Sequence, residues 1–183
     1  AGSMARAMMS DALRERLGQP LVIDNRGGAG GNIAAEQTAK SAPDGYTLMM
    51  ATIGTHAINL ALYAKLPYHP QRDFTPVALV GESPNVLVVH PSVPVKSIRE
   101  LIALARSKPG QLNYGSSGAG TSVHLSAELF SSMTGVRMVH VPFKGATEAL
   151  TALLGGQLDL MFASVSSSIP LIKAGRLRAF GVT

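Results

Sequence analysis

Hydrophobic positions in the second half of the chain follow two patterns that alternate from about Pro94 onward. An apolar residue at every third or fourth position predicts a helix, and a short continuous apolar run predicts a buried strand. Strands are predicted at 112–114, 138–141, 158–162 and 177–182, with helices after Ser97, after Thr121 or Ser122, at 146–154 and at 169–174. Strands separated by such helices form a parallel sheet with right-handed crossovers, so this half predicts an α/β layer structure.

The first half shows the same alternation less completely. Its pattern predicts helices at about 5–17 and after Asn32, and strands at 21–24, 46–51, 77–80 and 86–89. The chain opens on a helix, whereas an open parallel sheet normally presents a strand first, and it ends directly after a strand. We therefore expect the chain to be truncated at both ends. Residues 1–3, ahead of Met4, look like a remnant of cloning.

Charge and composition exclude several classes of protein. The net charge of +5 comes from 16 basic and 11 acidic residues that are scattered along the chain, and there is no tryptophan. Nucleic-acid-binding surfaces usually cluster their cations and interleave aromatic residues, so we predict no nucleic-acid partner. The absence of cysteine excludes disulfides and thiolate metal sites. No apolar run approaches the roughly 18 residues of a membrane-spanning helix, and no secretory signal opens the sequence.

Motifs for metal, nucleotide and nucleophilic chemistry are incomplete. The five histidines show no pairing at i and i+4, so we predict no metal site and no cofactor. No Gly-Lys pair forms a P-loop, and neither glycine segment spells the dinucleotide fingerprint. A nucleophile elbow needs glycine two residues before and two residues after the serine, but Ser117 has Gly115 before it and Ala119 after it.

A loop rich in glycine and hydroxyl groups, YGSSGAGTSVHL at residues 114–125, joins a predicted strand to a predicted helix. Free amides of a first helical turn and the positive end of the helix dipole favour an anion, and serine and threonine hydroxyls add donors. A carboxylate would fit this loop. Ordinary strand–helix connections use the same residues, so the loop alone leaves both interpretations open.

Other polar positions follow the carboxyl ends of predicted strands, where open α/β sheets bind ligands. The segments 51–55 and 163–168 are hydroxyl-rich and uncharged, and each could contact a small polar solute or be an ordinary turn or helix cap. Lys144 is the cation best placed to meet an acidic ligand, and the alternative is a solvated surface lysine.

Five blocks in a fixed order carry a family resemblance: NRGGAGGNIAA, APDGYTLMMAT, YGSSGAGTSVHLSAELF, VPFKGATEALTALLGGQLDLMF and IKAGRLRAFGVT. Together, from Arg14 to Thr183, they resemble the Bug family, the receptor component of tripartite tricarboxylate transporters. The resemblance implies a Venus-flytrap fold of the periplasmic-binding-protein type, with two lobes that are each a mostly parallel sheet flanked by helices, and with ligand in the cleft between them.

The resemblance also implies a domain division. Residues 1–90 would form an incomplete first lobe, 91–178 a second lobe, and 179–183 a crossing strand back toward the first. The protein would be periplasmic, with its signal peptide removed, and would capture a small carboxylate for the membrane components of a tripartite transporter. It would not be an enzyme.

Site residues follow from the resemblance position by position. Thr52 would face the ligand from the first lobe, and the second lobe would contribute Ser117, Gly118, Gly120, Thr121 and Ser122. Ser164 stands where relatives often carry Asp or Asn, so the distal group of the ligand stays open, and Lys144 completes the predicted set.

Typical members start with a strand and a PGGxxD loop and continue on the order of a hundred residues further. Without these parts we expect weak or no ligand affinity, and a dimer formed by strand exchange along exposed sheet edges.

Two other functions compete with the receptor. A serine-dependent acyl-transfer enzyme would need Ser117 within hydrogen-bond reach of His124. A ligand-sensing domain of a regulator would need a DNA-binding domain outside this sequence. Which carboxylate is bound cannot be read from donors shared by many acids.

Overall fold

The computed structural model of the protein describes residues 13–183, and the chain forms two units with a boundary between Thr75 and Pro76. Helices α1–α7 span 13–17, Asn32–Ala39, Asn59–Leu62, Ile98–Ser107, Ser122–Thr134, Ala146–Leu154 and Val165–Lys173. Strands β1–β5 span Asn85–Val89, Asn113–Ser116, Val139–Pro142, Leu160–Ser164 and Arg178–Val182. The division into lobes at residues 90 and 178 stays a prediction.

The five strands of the second unit form one sheet in the order β3-β2-β4-β1-β5. Strand β2 pairs in parallel with β3 and β4, whereas β1 is antiparallel to β4 and β5. The predicted α/β class, a mostly parallel sheet flanked by helices, is confirmed. The direction of β1 was not predicted, because an apolar run shows that a strand is buried and not which way the chain passes through it.

Alternate residues of the central strands contribute to two hydrophobic cores, one on each face of the sheet. Leu87 of β1 lies in the first core with Leu101 of α4, and Val88 of β1 lies in the second core with Leu153 of α6. All five residues of β1 are buried. Because both faces are covered there, β1 and β4 are nearly continuous apolar runs and could be recognised in the sequence.

Helix α4 begins after Ser97, as predicted, and Ser97 caps its first turn. The Glu100 N–H donates to the Ser97 hydroxyl (3.2 Å), and the Glu100 carboxylate accepts from the Lys96 N–H (2.8 Å). We expect Ser97→Ala to lower the free energy of unfolding by about 1 kcal/mol in urea denaturation, because an amide of the first turn loses its acceptor. Ser107→Ala, in the last turn of the same helix, is the control and should cost less than about 0.5 kcal/mol. Equal losses would contradict the capping role.

The first unit is described from residue 13 to residue 75, and no strand occurs within that range. The strands predicted at 21–24 and 46–51 are therefore wrong, as is the one at 77–80 in the second unit. A strand requires a neighbouring backbone for its hydrogen bonds. The apolar side chains of these segments are exposed instead, namely those of Val22, Tyr46, Leu48, Val77 and Leu79. The helix predicted at 5–17 is helical over 13–17, and its earlier part lies outside the described residues.

Buried polar side chains in the first unit tie the glycine segment before α2 to the turn before α3. The Asn59 side-chain amide donates to Asn32 Oδ1 (2.6 Å), and the Tyr68 hydroxyl donates to the Thr55 carbonyl (2.7 Å). Gly31, with φ +94°, permits this close approach, because a Cβ there would lie 2.8 Å from Thr55 Cγ2. The glycines of this block therefore serve packing within the first unit.

Candidate functional site

Three strand ends of the second unit meet at one edge of the sheet, which we call the carboxyl edge. Strands β2, β3 and β4 run in the same direction with β2 in the middle, and helices α5, α6 and α7 begin shortly after them. The sheet thus brings seven predicted site residues to one edge: Ser117, Gly118, Gly120, Thr121, Ser122, Lys144 and Ser164. Open α/β sheets bind ligands at such an edge.

The connection from β2 to α5, residues 117–121, forms a tight loop that we call the glycine loop. Gly118 and Gly120 have φ values of +120° and +80°, a backbone conformation that other residues adopt only with strain. Thr121 caps α5, since its hydroxyl donates to the Gly118 carbonyl (2.7 Å) and accepts from the His124 N–H (3.4 Å). The predicted cap is confirmed, and the first turn of α5 directs its positive dipole end toward this loop.

Two serine hydroxyls at the glycine loop are available to a ligand. Neither the half-buried Ser117 nor the exposed Ser122 uses its hydroxyl in a hydrogen bond to any residue in the range 13–183. Both can therefore donate to an acceptor from solution.

Two loop amides, by contrast, are already engaged. The Gly118 N–H donates to Ser116 Oγ (3.1 Å), and the Gly120 N–H donates to His124 Nδ1 (3.3 Å). The free amides expected from the sequence are those of the first turn of α5, and Gly118 and Gly120 precede that turn. Side chains on either side of the loop, Ser116 before it and His124 after it, satisfy these amides, because a buried N–H without a partner is costly.

Behind the glycine loop lies a layer of stacked rings that we call the histidine cluster: Tyr114, His124, Glu128 and His140, with Ser116. The rings of Tyr114, His124 and His140 contact one another, with centroid distances of 4.9 Å from His140 to Tyr114, 4.2 Å from His140 to His124 and 6.5 Å from Tyr114 to His124. Ser116 is fully buried, and its Oγ lies 2.6 Å from His140 Nε2. The Tyr114 hydroxyl donates to the Glu128 carboxylate.

Burial and neighbouring charges shift two pKa values in the histidine cluster. Burial, and then the positive charge of His124, lowers the pKa of His140 below its ordinary value of 6.5, and Glu128 opposes this effect. Burial and the hydrogen bond to Glu128 raise the pKa of the Tyr114 hydroxyl, so the phenol stays protonated. Sequence reasoning missed His140, because its place opposite Tyr114 depends on β2 and β3 being neighbours in the sheet.

Ser164 ends β4 and immediately precedes α7. Its hydroxyl lies 3.0 Å from Ser166 Oγ and 3.4 Å from Ser83 Oγ, and its carbonyl accepts from the hydroxyls of Ser167 and Ser168 at 2.9 Å. The segment 163–168 was expected to be a loop followed by a helix at 169–174. The helix instead begins at Val165, and in its first turn the hydroxyls of Ser167 and Ser168 bond to the Ser164 carbonyl.

Asn85, which the sequence did not single out, joins the carboxyl edge from β1. It lies opposite Ser164 in the antiparallel register and is 8% exposed. Its side-chain amide donates to Ser126 Oγ of α5 (3.2 Å). The antiparallel course of β1 brings its amino end to this edge, and that direction could not be read from the sequence.

The remaining two predicted residues are Lys144 in the second unit and Thr52 in the first. Lys144 is exposed, and its backbone N–H donates to Glu148 Oε2 (3.3 Å) at the start of α6. Thr52 belongs to the first unit, where its backbone N–H donates to Thr55 Oγ1 (3.1 Å) and its hydroxyl accepts from the Thr55 N–H (3.3 Å). Its place beside the residues of the second unit stays a prediction.

The geometry required for nucleophilic catalysis is not formed. No hydrogen bond links Ser117 to His124, whose Nδ1 accepts from Gly120 and whose Nε2 faces Glu128 Oε1 at 3.8 Å. Within residues 13–183 there is no group of three His, Asp or Glu side chains suited to a metal ion. None of the helices in that range combines the length and apolar character that crossing a membrane requires.

Comparisons with known proteins identify relatives along nearly the whole chain. The family model of the tripartite tricarboxylate transporter family receptor matches residues 4–183. Protein BugT of Bordetella pertussis is 38% identical over 180 residues, which are 98% of this chain and 55% of BugT. The chain spans about half the length of the curated relatives it matches.

Solved structures agree with the family match. R. palustris Rpa4515 with adipate has a TM-score of 0.95 and 44% identity, covering 99% of this chain and 60% of that one. MatC (Rpa3494) from Rhodopseudomonas palustris with bound malate has a TM-score of 0.92 and 35% identity, covering 100% and 62%.

These relatives are solute-binding proteins and not enzymes, and the periplasmic location expected from the sequence is confirmed by relatives described as periplasmic. The resemblance to the Bug family is likewise confirmed. The chain belongs to the receptor family of the tripartite tricarboxylate transporters.

Proposed function

We propose that the protein of which this chain forms part is a receptor that captures a small dicarboxylate and delivers it to the membrane components of a tripartite transporter. The observation that carries the proposal is the carboxyl edge of the second unit, where free hydroxyls and the positive ends of three helices converge. Such an edge attracts an anion without needing a buried cation. Two structural neighbours, one with adipate and one with malate, support the same ligand class.

The glycine loop is the proposed site for one ligand carboxylate. Ser117 and Ser122 would supply free hydroxyl groups, and Thr121 would line the site beside them while its own hydroxyl holds the Gly118 carbonyl. Gly118 and Gly120 would let the loop backbone approach the ligand closely. The net charge of +5 adds a weak attraction for anions.

The other end of the ligand would meet Ser164 and Lys144. Ser164 is uncharged and already close to two hydroxyls, so it would recognise a polar group by hydrogen bonding. Lys144 is exposed and forms no ion pair within the described part of the chain. It could therefore turn toward a second carboxylate.

Thr52 would contact the ligand from the first lobe, in a cleft that closes by hinge motion. In this proposal β1 and β5, which are neighbours in the sheet, are the crossing segments between the lobes. Residues 1–90 would belong to the first lobe and 91–178 to the second.

A thermal-shift screen tests the ligand class. We expect the full-length protein to be stabilised by adipate, malate or another dicarboxylate, because a ligand that binds only the folded state raises the melting temperature. The melting temperature of this 183-residue chain should rise less when an acid is added, because the relatives contain further residues that could contribute to the binding cleft. The panel should include tricarboxylates, acidic amino acids and aromatic acids.

Serine variants give this screen its control. Ser117→Ala with Ser122→Ala should weaken binding of the acid that stabilises most by about tenfold or more, because hydrogen bonds to a charged carboxylate are lost. Ser132→Ala, which is exposed near the other end of α5, should have no effect. If no acid stabilises the full-length protein, the carboxylate assignment is wrong.

A further inference from the structure

The histidine cluster contacts the glycine loop at two points, directly through His124 and indirectly through Ser116, whose hydroxyl lies against His140. His124 Nδ1 accepts from the Gly120 N–H (3.3 Å). A proton on Nδ1 would place two N–H groups against each other, so this contact exists only when that nitrogen carries no hydrogen. The remaining proton of His124 is then on Nε2, which faces Glu128.

The second contact runs through Ser116. Its Oγ accepts from the Gly118 N–H (3.1 Å) and lies 2.6 Å from His140 Nε2. The buried Ser116 hydroxyl needs an acceptor for its own hydrogen. Among the described residues, His140 Nε2 lies within hydrogen-bond distance of Ser116 Oγ and can accept it. With the Ser116 hydroxyl as the donor, the proton of neutral His140 is on Nδ1, and His140 also acts as an acceptor.

Both contacts belong to one compact set of titratable groups. The groups that face the two imidazoles are Tyr114 from β2 and Glu128 from α5, besides the imidazoles themselves. Burial, and then the hydrogen bond to Glu128, raises the pKa of the Tyr114 hydroxyl and keeps it neutral. With 4.2 Å between the two imidazole centroids, simultaneous protonation would place two positive charges face to face.

We propose that His124 and His140 are positioning residues for the glycine loop, which they hold in its binding conformation as neutral acceptors, so that acidification releases the loop and the bound carboxylate. The inference rests on the proposed function, because it assigns to that same site a dependence on pH.

The direction of the pH effect follows from geometry and burial. Because the pKa of His140 is lowered below 6.5, the folded protein binds this proton less readily than the unfolded chain does. The stability contributed by neutral His140 is then complete above pH 6.5 and is lost as the pH falls below it. Loop order and ligand affinity should fall over the same range.

Substitutions by asparagine and glutamine at His124 and His140 distinguish a hydrogen-bond acceptor at the required position from a polar side chain that only fills the space. Asparagine places Oδ1 close to the position of histidine Nδ1, and glutamine reaches the position of Nε2. His124→Asn and His140→Gln therefore preserve an acceptor that cannot be protonated, whereas His124→Gln and His140→Asn remove it from the required position.

Binding of adipate and of malate to the full-length protein should be measured at pH 7.5 and 5.5. We expect the acceptor-preserving variants to bind within about threefold of wild type at pH 7.5 and to lose much less affinity at pH 5.5, and the other pair to bind about tenfold or more weakly at both pH values. Protonation of the dicarboxylates between these two pH values changes the measured affinity of every variant by the same factor, so it does not alter the comparison between variants. If asparagine and glutamine behave alike at each position, the positioning role is wrong.

A ligand-free measurement keeps this test independent of the proposed function. In nitrogen-15 NMR spectra of the chain alone, the Gly118 and Gly120 amide signals should shift together with protonation of the two imidazoles, and the Gly120 shift should persist at low pH in His124→Asn. If the Gly118 and Gly120 amide signals do not shift when the imidazoles are protonated, the inference is wrong even if acids bind. If the glycine amide signals follow imidazole protonation but no acid binds, the positioning role of the histidines is supported and the proposed function as a carboxylate receptor is refuted.

Discussion

Gly120→Val in the full-length protein should lower affinity for the preferred dicarboxylate by about 100-fold or more, as measured by isothermal titration calorimetry. Gly120 has φ +80° and is buried in the glycine loop. A β-branched residue at this φ is strained by an estimated 1–3 kcal/mol and moves the backbone to relieve the strain. That movement breaks the bond from the Gly120 amide to His124 and displaces the neighbouring serine hydroxyls.

Gly110→Val is the matched control. Gly110 has φ +75°, a Cβ there meets no atom within 4 Å, and the residue precedes β2 and so lies at the opposite edge of the sheet. It should impose a comparable strain and a comparable loss of melting temperature while leaving affinity close to that of wild type. If both variants lose affinity equally, general destabilisation explains the result and the glycine loop has no special role.

The architecture of the second unit was predictable because burial on both faces leaves a strong local signal. The apolar runs at 158–162 and 177–182 correspond to β4 and β5 within a few residues, and the glycines after α6 and the capping serine before α4 mark helix ends directly. In the first unit the same local pattern failed. Val22 and Tyr46 lie in segments with strand-like composition, but composition does not supply the neighbouring backbone that a strand requires.

The site was predictable as far as it depends on local sequence. A glycine loop between a strand and a helix is visible in the residues themselves, and so is its threonine cap. The contact between Ser116 and His140 joins residues 24 positions apart, and the pairing of Asn85 with Ser164 depends on the antiparallel course of β1. Such groups meet only through the order and direction of strands, which single-sequence patterns do not encode.

The two cores beneath the carboxyl edge make the second unit sensitive to loss of packing. Leu153 of α6 is fully buried and lies in the same core as Val88 and Met161. Helix α6 follows the loop that carries Lys144, so its packing against the sheet sets where that loop begins. Weaker packing of α6 against the sheet would lower the stability of the second unit and would shift the position of Lys144 at the carboxyl edge.

Leu153→Ala should lower the free energy of unfolding by about 2–5 kcal/mol, because it removes buried apolar contacts and leaves a cavity that the neighbouring side chains fill only in part. Urea denaturation followed by far-UV circular dichroism measures the change. Leu129→Ala, on the exposed face of α5 with 60% of the residue accessible, should change stability by less than about 0.5 kcal/mol. A similar small change for Leu153→Ala would mean that α6 does not cover this face of the sheet, and the two-core arrangement would be wrong.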